Sequence, residues 1–297
     1  MKAKLTAYLR LLRLPAVFTA MADVFLGFVC QRGDWQPLSM LISLLIGSSG
    51  LYLAGMVLND VFDRHRDARQ RPDRPIPSGV VTVREAVGLA SLLIVVALLA
   101  AASVGRTAFA TALMLTLAAL AYDGWLKQTL AGPMTMGLCR LLNVLLGASA
   151  VHSLSAVWRL PQLHLAISLA VYVTGVTWLA RSEIRAEARR SLLGAIGVVN
   201  LGVAGFATFV LNWPGTQPGS ALLILLVVAL TINRRLVIIL AQPDPMRVRQ
   251  AVGVLLGSII ILDATAVLFV SARVDLALGV AGLVVPYLFL RRRLAVT

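Results

Sequence analysis

Apolar residues fall in ten blocks along this chain, separated by short polar breaks. They cover about 14–31, 38–58, 86–104, 107–122, 130–151, 163–180, 191–212, 219–241, 250–271 and 276–290. A helix that crosses a bilayer needs roughly 20 apolar residues, with a lower bound near 17. Blocks 107–122 and 276–290 are the shortest. The pattern predicts an all-α polytopic membrane bundle of nine helices, with 276–290 as a candidate tenth, forming a single domain over 1–297. The breaks carry matching signals. Thr82-Val83-Arg84-Glu85 reads as a capping box opening the third helix. Pro75 and Pro77 favour extended backbone. Trp213-Pro214-Gly215 and Gln217-Pro218-Gly219 read as turns.

Composition agrees with this reading. The 297 residues are 59% hydrophobic and 13% charged, against about 25% charged in a soluble domain. The net charge is +14. Basic residues punctuate the apolar blocks rather than form a patch, which argues against nucleic acid and for anionic lipid headgroups. With the N terminus inside and ten crossings, 22 Lys and Arg lie on the inner side and four, Arg32, Arg106, Arg159 and Arg273, on the outer. The positive-inside rule then puts both termini in the cytoplasm of an inner-membrane protein. The basic start before the first block, with Ala20-Met21-Ala22, resembles a signal peptide. The many later spans favour an uncleaved first helix. Cys30 and Cys139 lie in apolar blocks and give no disulfide or metal pattern. No Walker loop, GxGxxG, HExxH or CxxC is present.

Charge density peaks in one stretch, Asn59–Gly79, which holds Asp60, Asp63, Asp67 and Asp73 with Arg64, Arg66, Arg69, Arg71 and Arg74. If 59–67 continues the second helix, Asp60, Asp63 and Asp67 fall within about 60° of one another at about 100° per residue. Carboxylates on one face repel unless a cation neutralises them. An all-oxygen donor set suits Mg²⁺, which often shares its shell with phosphates. Arginine suits the outer charge of a phosphate group. His65 falls off the aspartate face and reads as interfacial. A solvated interhelical loop is the plainer alternative.

Asn59-Asp60-x-x-Asp63-x-x-x-Asp67 followed by Arg74-Pro75-Ile76-Pro77-Ser78-Gly79 resembles the first signature of the UbiA-type intramembrane prenyltransferases, or of a divergent branch of them. The resemblance implies Mg²⁺ held by Asp60, Asp63 and Asp67 against an isoprenyl diphosphate, with Asn59 and Arg74 in substrate binding. A second cluster, Arg181-Ser182-Glu183-Ile184-Arg185-Ala186-Glu187, follows the sixth block as the first follows the second, consistent with a weak internal duplication. By itself it reads as an amphipathic turn with helix ion pairs. Under the resemblance Glu183 and Glu187 stand where the family carries an aspartate-rich second metal motif. Tyr122-Asp123-Gly124-Trp125-Leu126-Lys127 is similar to the family's tyrosine-to-lysine segment, which implies substrate binding by Tyr122 and a diphosphate contact by Lys127. An interfacial lysine is the alternative there.

Arg140 lies inside the fifth block, where an unpaired charge is expensive. It is expected to face a polar cavity, with Asn143 at i+3, and to bind substrate. Asp23 and Asp263 are expected to hydrogen-bond neighbouring helices. The expected activity is transfer of an isoprenyl group from its diphosphate to a small-molecule or lipid acceptor, with Asp60, Asp63, Lys127 and Arg140 in the chemistry. The alternative is a non-catalytic relative that binds or translocates an isoprenoid precursor.

Overall fold

The computed structural model describes residues 2–182, 189–213, 218–242 and 244–294. Among them every regular element is helical: α1 Lys2–Leu12, α2 Val17–Arg32, α3 Leu38–Gln70, α4 Val83–Val104, α5 Arg106–Gly124, α6 Gly132–Gly147, α7 Leu154–Val157, α8 Gln162–Ser182, α9 Arg189–Asn212, α10 Pro218–Ala241, α11 Pro245–Ser271, α12 Val274–Ala281 and α13 Val284–Leu294, with short 3₁₀ turns at Leu14–Ala16 and Leu126–Gln128.

Nine segments among the described residues are long and apolar enough to cross a membrane. They include both blocks that looked weakest: Arg106–Gly124 has 19 residues, and Val274–Arg293 spans α12 and α13. The short element lies elsewhere. The apolar block 130–151 yields only the 16-residue α6, about 24 Å long at 1.5 Å per residue. It still runs from one end of the bundle to the other. Arg181 at the end of α8 bonds the Thr129 carbonyl (2.7 Å), whereas Arg32 at the opposite end bonds the Ala150 carbonyl (2.6 Å). Residues 148–150 are apolar or small because they are buried against other helices, not because they are helical.

Small residues bring the helices together, as expected where lipid removes the hydrophobic drive between them. A side chain at Gly147 would meet the Val24 backbone of α2, and one at Gly27 would meet Val144 of α6. Gly147→Val is therefore expected to lower the melting temperature of the purified protein and its yield in membranes, because backbone blocks the added carbons on a fully packed face. An unchanged melting curve would remove this contact from the account. Large apolar side chains point outward on the periphery, including Leu92, Leu99, Leu201, Leu223 and Leu230, as lipid-facing surfaces require.

The α3 helix positions the polar end. Its 33 residues extend about 50 Å, well beyond the roughly 30 Å hydrocarbon core, so Asn59–Gln70 continues as helix past the apolar block. The loop that follows folds back onto it. Gly79, at φ 74°, closes a turn in which the amides of Ser78, Gly79 and Val81 bond the carbonyls of Arg74, Ile76 and Pro75. Ile76 and Val81 are buried in a cluster with Ala54, Val57 and Val61. The predicted capping box then opens α4: the Thr82 hydroxyl accepts from the Glu85 amide, and the Glu85 carboxylate accepts from the Thr82 amide (2.9 Å).

Candidate active site

Asp60, Asp63 and Asp67 are all buried, at 5%, 5% and 2% exposure. A carboxylate so placed needs a charge partner, and each has one. The folded-back loop delivers Arg74, whose guanidinium bridges Asp67 (2.6 Å) and Asp60 (3.2 Å). Arg13 reaches Asp60 at 2.7 Å from the break between α1 and α2, where its backbone is left-handed, φ 45°. For a non-glycine residue that conformation costs about 1–2 kcal/mol, and the buried ion pair offsets it. Asp63 is met by Arg66 at 2.5 Å and Lys127 at 2.6 Å. The Lys127 ammonium is nearly enclosed, yet it lies off any hydrogen-bonding direction. His65 is exposed, as its angle predicted.

The aspartates therefore share a face as expected, but arginine and lysine sit between them. Among the described residues no three metal-ligating side chains converge as a ready metal site. The reason is electrostatic: Arg66 and Arg74 of the same stretch, with Arg13 and Lys127 from other elements, supply the neutralising charge. Glu183 and Glu187 lie outside the described residues.

Two cavities flank this cluster. A polar cleft of about 400 Å³ is lined by Arg10, Arg13, Asp60, Arg71, Arg74 and Arg249, with Asp73. Its positive balance suits a polyanion. A narrower apolar cavity of about 90 Å³ runs between α2, α3, α5 and α6, with Leu51, Tyr52, Met56, Leu115, Tyr122 and Met136 in its wall. Tyr122 is thus placed on the cavity, as is Asp123, whose carboxylate accepts from the Asn59 amide at 2.8 Å.

Arg140 and Asn143 also line the apolar cavity, but no contact among the described residues joins Arg140 to the signature aspartates. Its guanidinium bonds Asp23 (3.0 Å) and the Thr19 hydroxyl (2.9 Å) of α2 and lies 5.8 Å from the Tyr52 ring centroid. The Asn143 amide bonds Asp23 and the Ala20 carbonyl, both at 2.9 Å, and its oxygen accepts from Ser48 at 2.7 Å. A buried guanidinium takes the nearest carboxylate, and here that is Asp23. Asp23 thus bonds a neighbouring helix, as expected. Sequence reasoning gave no role to Arg13 or Asp123. Asp123 stood four residues before Lys127, one helical turn away, which was a usable signal. Arg13 offered none.

The model of the UbiA prenyltransferase family matches residues 20–256, most of the chain. This protein belongs to the UbiA prenyltransferase family. Among curated relatives, the digeranylgeranylglyceryl phosphate synthase of Sulfurisphaera tokodaii is 31% identical over 147 residues, covering 48% of this chain and 52% of that protein. That of Metallosphaera sedula is 30% identical over 157 residues, covering 51% and 55%. The chain spans about half the length of the curated relatives it matches. The solved UbiA homologue of Archaeoglobus fulgidus bound to GPP and Mg²⁺ shares the fold at 16% identity, with a TM-score of 0.64 over 93% of this chain and 99% of that one.

Proposed function

We propose that this UbiA-family chain transfers an isoprenyl group from a prenyl diphosphate to a small-molecule or lipid acceptor at the cytoplasmic face of the inner membrane. The observation that carries the reading is the buried charge cluster at the end of α3. Three carboxylates on one helical face meet Arg13, Arg74 and Lys127 beside an apolar cavity. The Lys127 ammonium, nearly enclosed and ion-paired with Asp63 without an aligned hydrogen bond, is a cation placed to meet a diphosphate oxygen as well. The 22-to-4 distribution of Lys and Arg supports the cytoplasmic orientation.

The donor set fits Mg²⁺, which favours carboxylate oxygens and substrate phosphates. Asp60, Asp63 and Asp67 would hold it, with Glu183 and Glu187 completing the set from the α8–α9 connection. When bound, Mg²⁺ supplies charge neutralisation and Lewis acidity toward the diphosphate. The chain's own groups do the rest. Lys127 and Arg74 face the charge that develops on the leaving diphosphate, as preorganised cations do in other sites. The apolar cavity takes the isoprenyl tail and keeps water from the allylic cation. The polar cleft lined by Arg10, Arg13, Arg71 and Arg249 draws the polyanionic end of the donor toward the cluster.

The test is turnover. Purified protein in lipid nanodiscs is expected to release inorganic diphosphate from a labelled prenyl diphosphate and to label a lipid in a membrane extract, and EDTA is expected to stop both. Saturable donor binding with no labelled product would instead identify a carrier of isoprenoid precursors.

A further inference from the structure

The acidic side chains near the site divide by what faces them. Asp60, Asp63 and Asp67 are ion-paired with Arg13, Arg66, Arg74 and Lys127, and Asp23 is held by Arg140. Asp123 differs. It is only 6% exposed, and among the described residues its sole hydrogen-bond partner is the neutral amide of Asn59, with no ion pair. It lines the apolar cavity described above and a second small one that shares Leu51, Gly55 and Ala119. Lys127, one turn onward, is directed at Asp63 instead.

An enclosed carboxylate without a cation costs several kcal/mol in an apolar setting. The packing does not require it, because an asparagine at 123 would satisfy Asn59 equally well. The position has a chemical use. It stands where the hydrocarbon cavity meets the charge cluster, which is where an acceptor's reacting atom must approach the donor. An alcohol is a weak nucleophile that holds its proton about as tightly as water, so a positioned base that removes it accelerates attack by about 10²–10⁴-fold. An aromatic ring attacks through carbon and sheds its proton only afterwards, so it asks less of a base at that point.

We propose that Asp123, oriented by Asn59, is the proton acceptor for an acceptor hydroxyl, which makes the acceptor an alcohol prenylated on oxygen. In this step the acceptor oxygen bonds C1 of the isoprenyl group. The bond from C1 to the diphosphate oxygen breaks, its electron pair leaves on diphosphate, and the hydroxyl proton passes to the Asp123 carboxylate. The inference rests on the prenyltransferase reading above.

Asp123→Asn keeps the shape and the Asn59 contact and removes only the base. Wild type and variant are compared in nanodiscs with geranyl diphosphate and Mg²⁺, a monoalkyl glyceryl phosphate with one free hydroxyl, and a simple phenol as ring acceptor. Transfer to the alcohol is expected to fall about 10²–10⁴-fold. The rise of wild-type kcat/KM with pH as the base ionises is expected to vanish. Calorimetric binding of a non-hydrolysable prenyl diphosphate analogue is expected to stay within about threefold of wild type, showing a folded donor site. Full transfer by Asp123→Asn overturns the proposal. So does loss of donor binding, which would place Asp123 among the groups that hold diphosphate. New carbon–carbon bonds on the phenol with no ether on the alcohol overturn the acceptor class. If the wild type binds no donor and makes no product with either acceptor, the transferase reading itself fails.

Discussion

Asp63→Asn is expected to lower kcat/KM for prenyl transfer by about 10²–10³-fold and to remove the Mg²⁺-dependent part of donor binding. Removing one preorganised electrostatic group from an active site typically costs that much. Asp63 is the strongest choice among the three aspartates because it alone contacts Lys127 as well as an arginine. Its loss would therefore remove an oxygen proposed to hold Mg²⁺ and release the ammonium proposed to face the leaving group. Asparagine keeps the volume, so the buried position stays packed. The remaining concern is the stranded charge of Lys127, since removing one partner of a buried pair is itself destabilising. Asp63→Asn combined with Lys127→Met separates the two effects. If the double variant melts like wild type yet still lacks Mg²⁺-dependent binding, the loss belongs to the site and not to the fold. Exposed His65 is the control, and His65→Ala should leave binding and turnover near wild type. Calorimetry with a prenyl diphosphate analogue, with and without Mg²⁺, reads all four proteins. Unchanged affinity in Asp63→Asn would remove the metal role from this face of α3.

The helices were legible in the sequence because lipid imposes a length and a polarity on each of them. The face shared by Asp60, Asp63 and Asp67 was legible too, once α3 was taken to run on past its apolar block. What periodicity cannot say is which neighbour a face meets. Arg13 lies 47 residues from Asp60, and Arg140 lies 117 from Asp23. Both pairs exist only because α2 packs beside α3 and α6. Reading each charged residue against its own helix therefore missed the counter-ion that the adjoining helix supplies to Arg140. The block 130–151 misled for a related reason. Apolarity there marks burial at the end of α6, and burial continues through a turn as readily as through a helix.

That same pair carries the second large effect. Arg140→Met is expected to destabilise the protein by about 3–5 kcal/mol, the usual cost of leaving a buried charge without its partner. Two carboxylates would be stranded. Asp23 loses its guanidinium, and Asp263, fully buried on α11, stays beside it with no ion pair among the described residues. Methionine fills much of the volume, so little of the loss comes from a cavity. The expected fall in melting temperature in detergent is roughly 10 °C. Adding Asp23→Leu should recover most of it, because an apolar pair replaces an ionic one in a setting where charge is expensive. The network joins α2, α3 and α6 through Thr19, Asp23, Ser48, Arg140 and Asn143, so the double variant should also restore insertion and yield. Donor affinity decides the rest. If Arg140→Met melts like wild type but loses affinity for the prenyl diphosphate analogue, the guanidinium serves substrate after all. If stability falls and returns with Asp23→Leu while affinity holds throughout, Arg140 is the counter-ion of Asp23 and fixes the shape of the cavity wall.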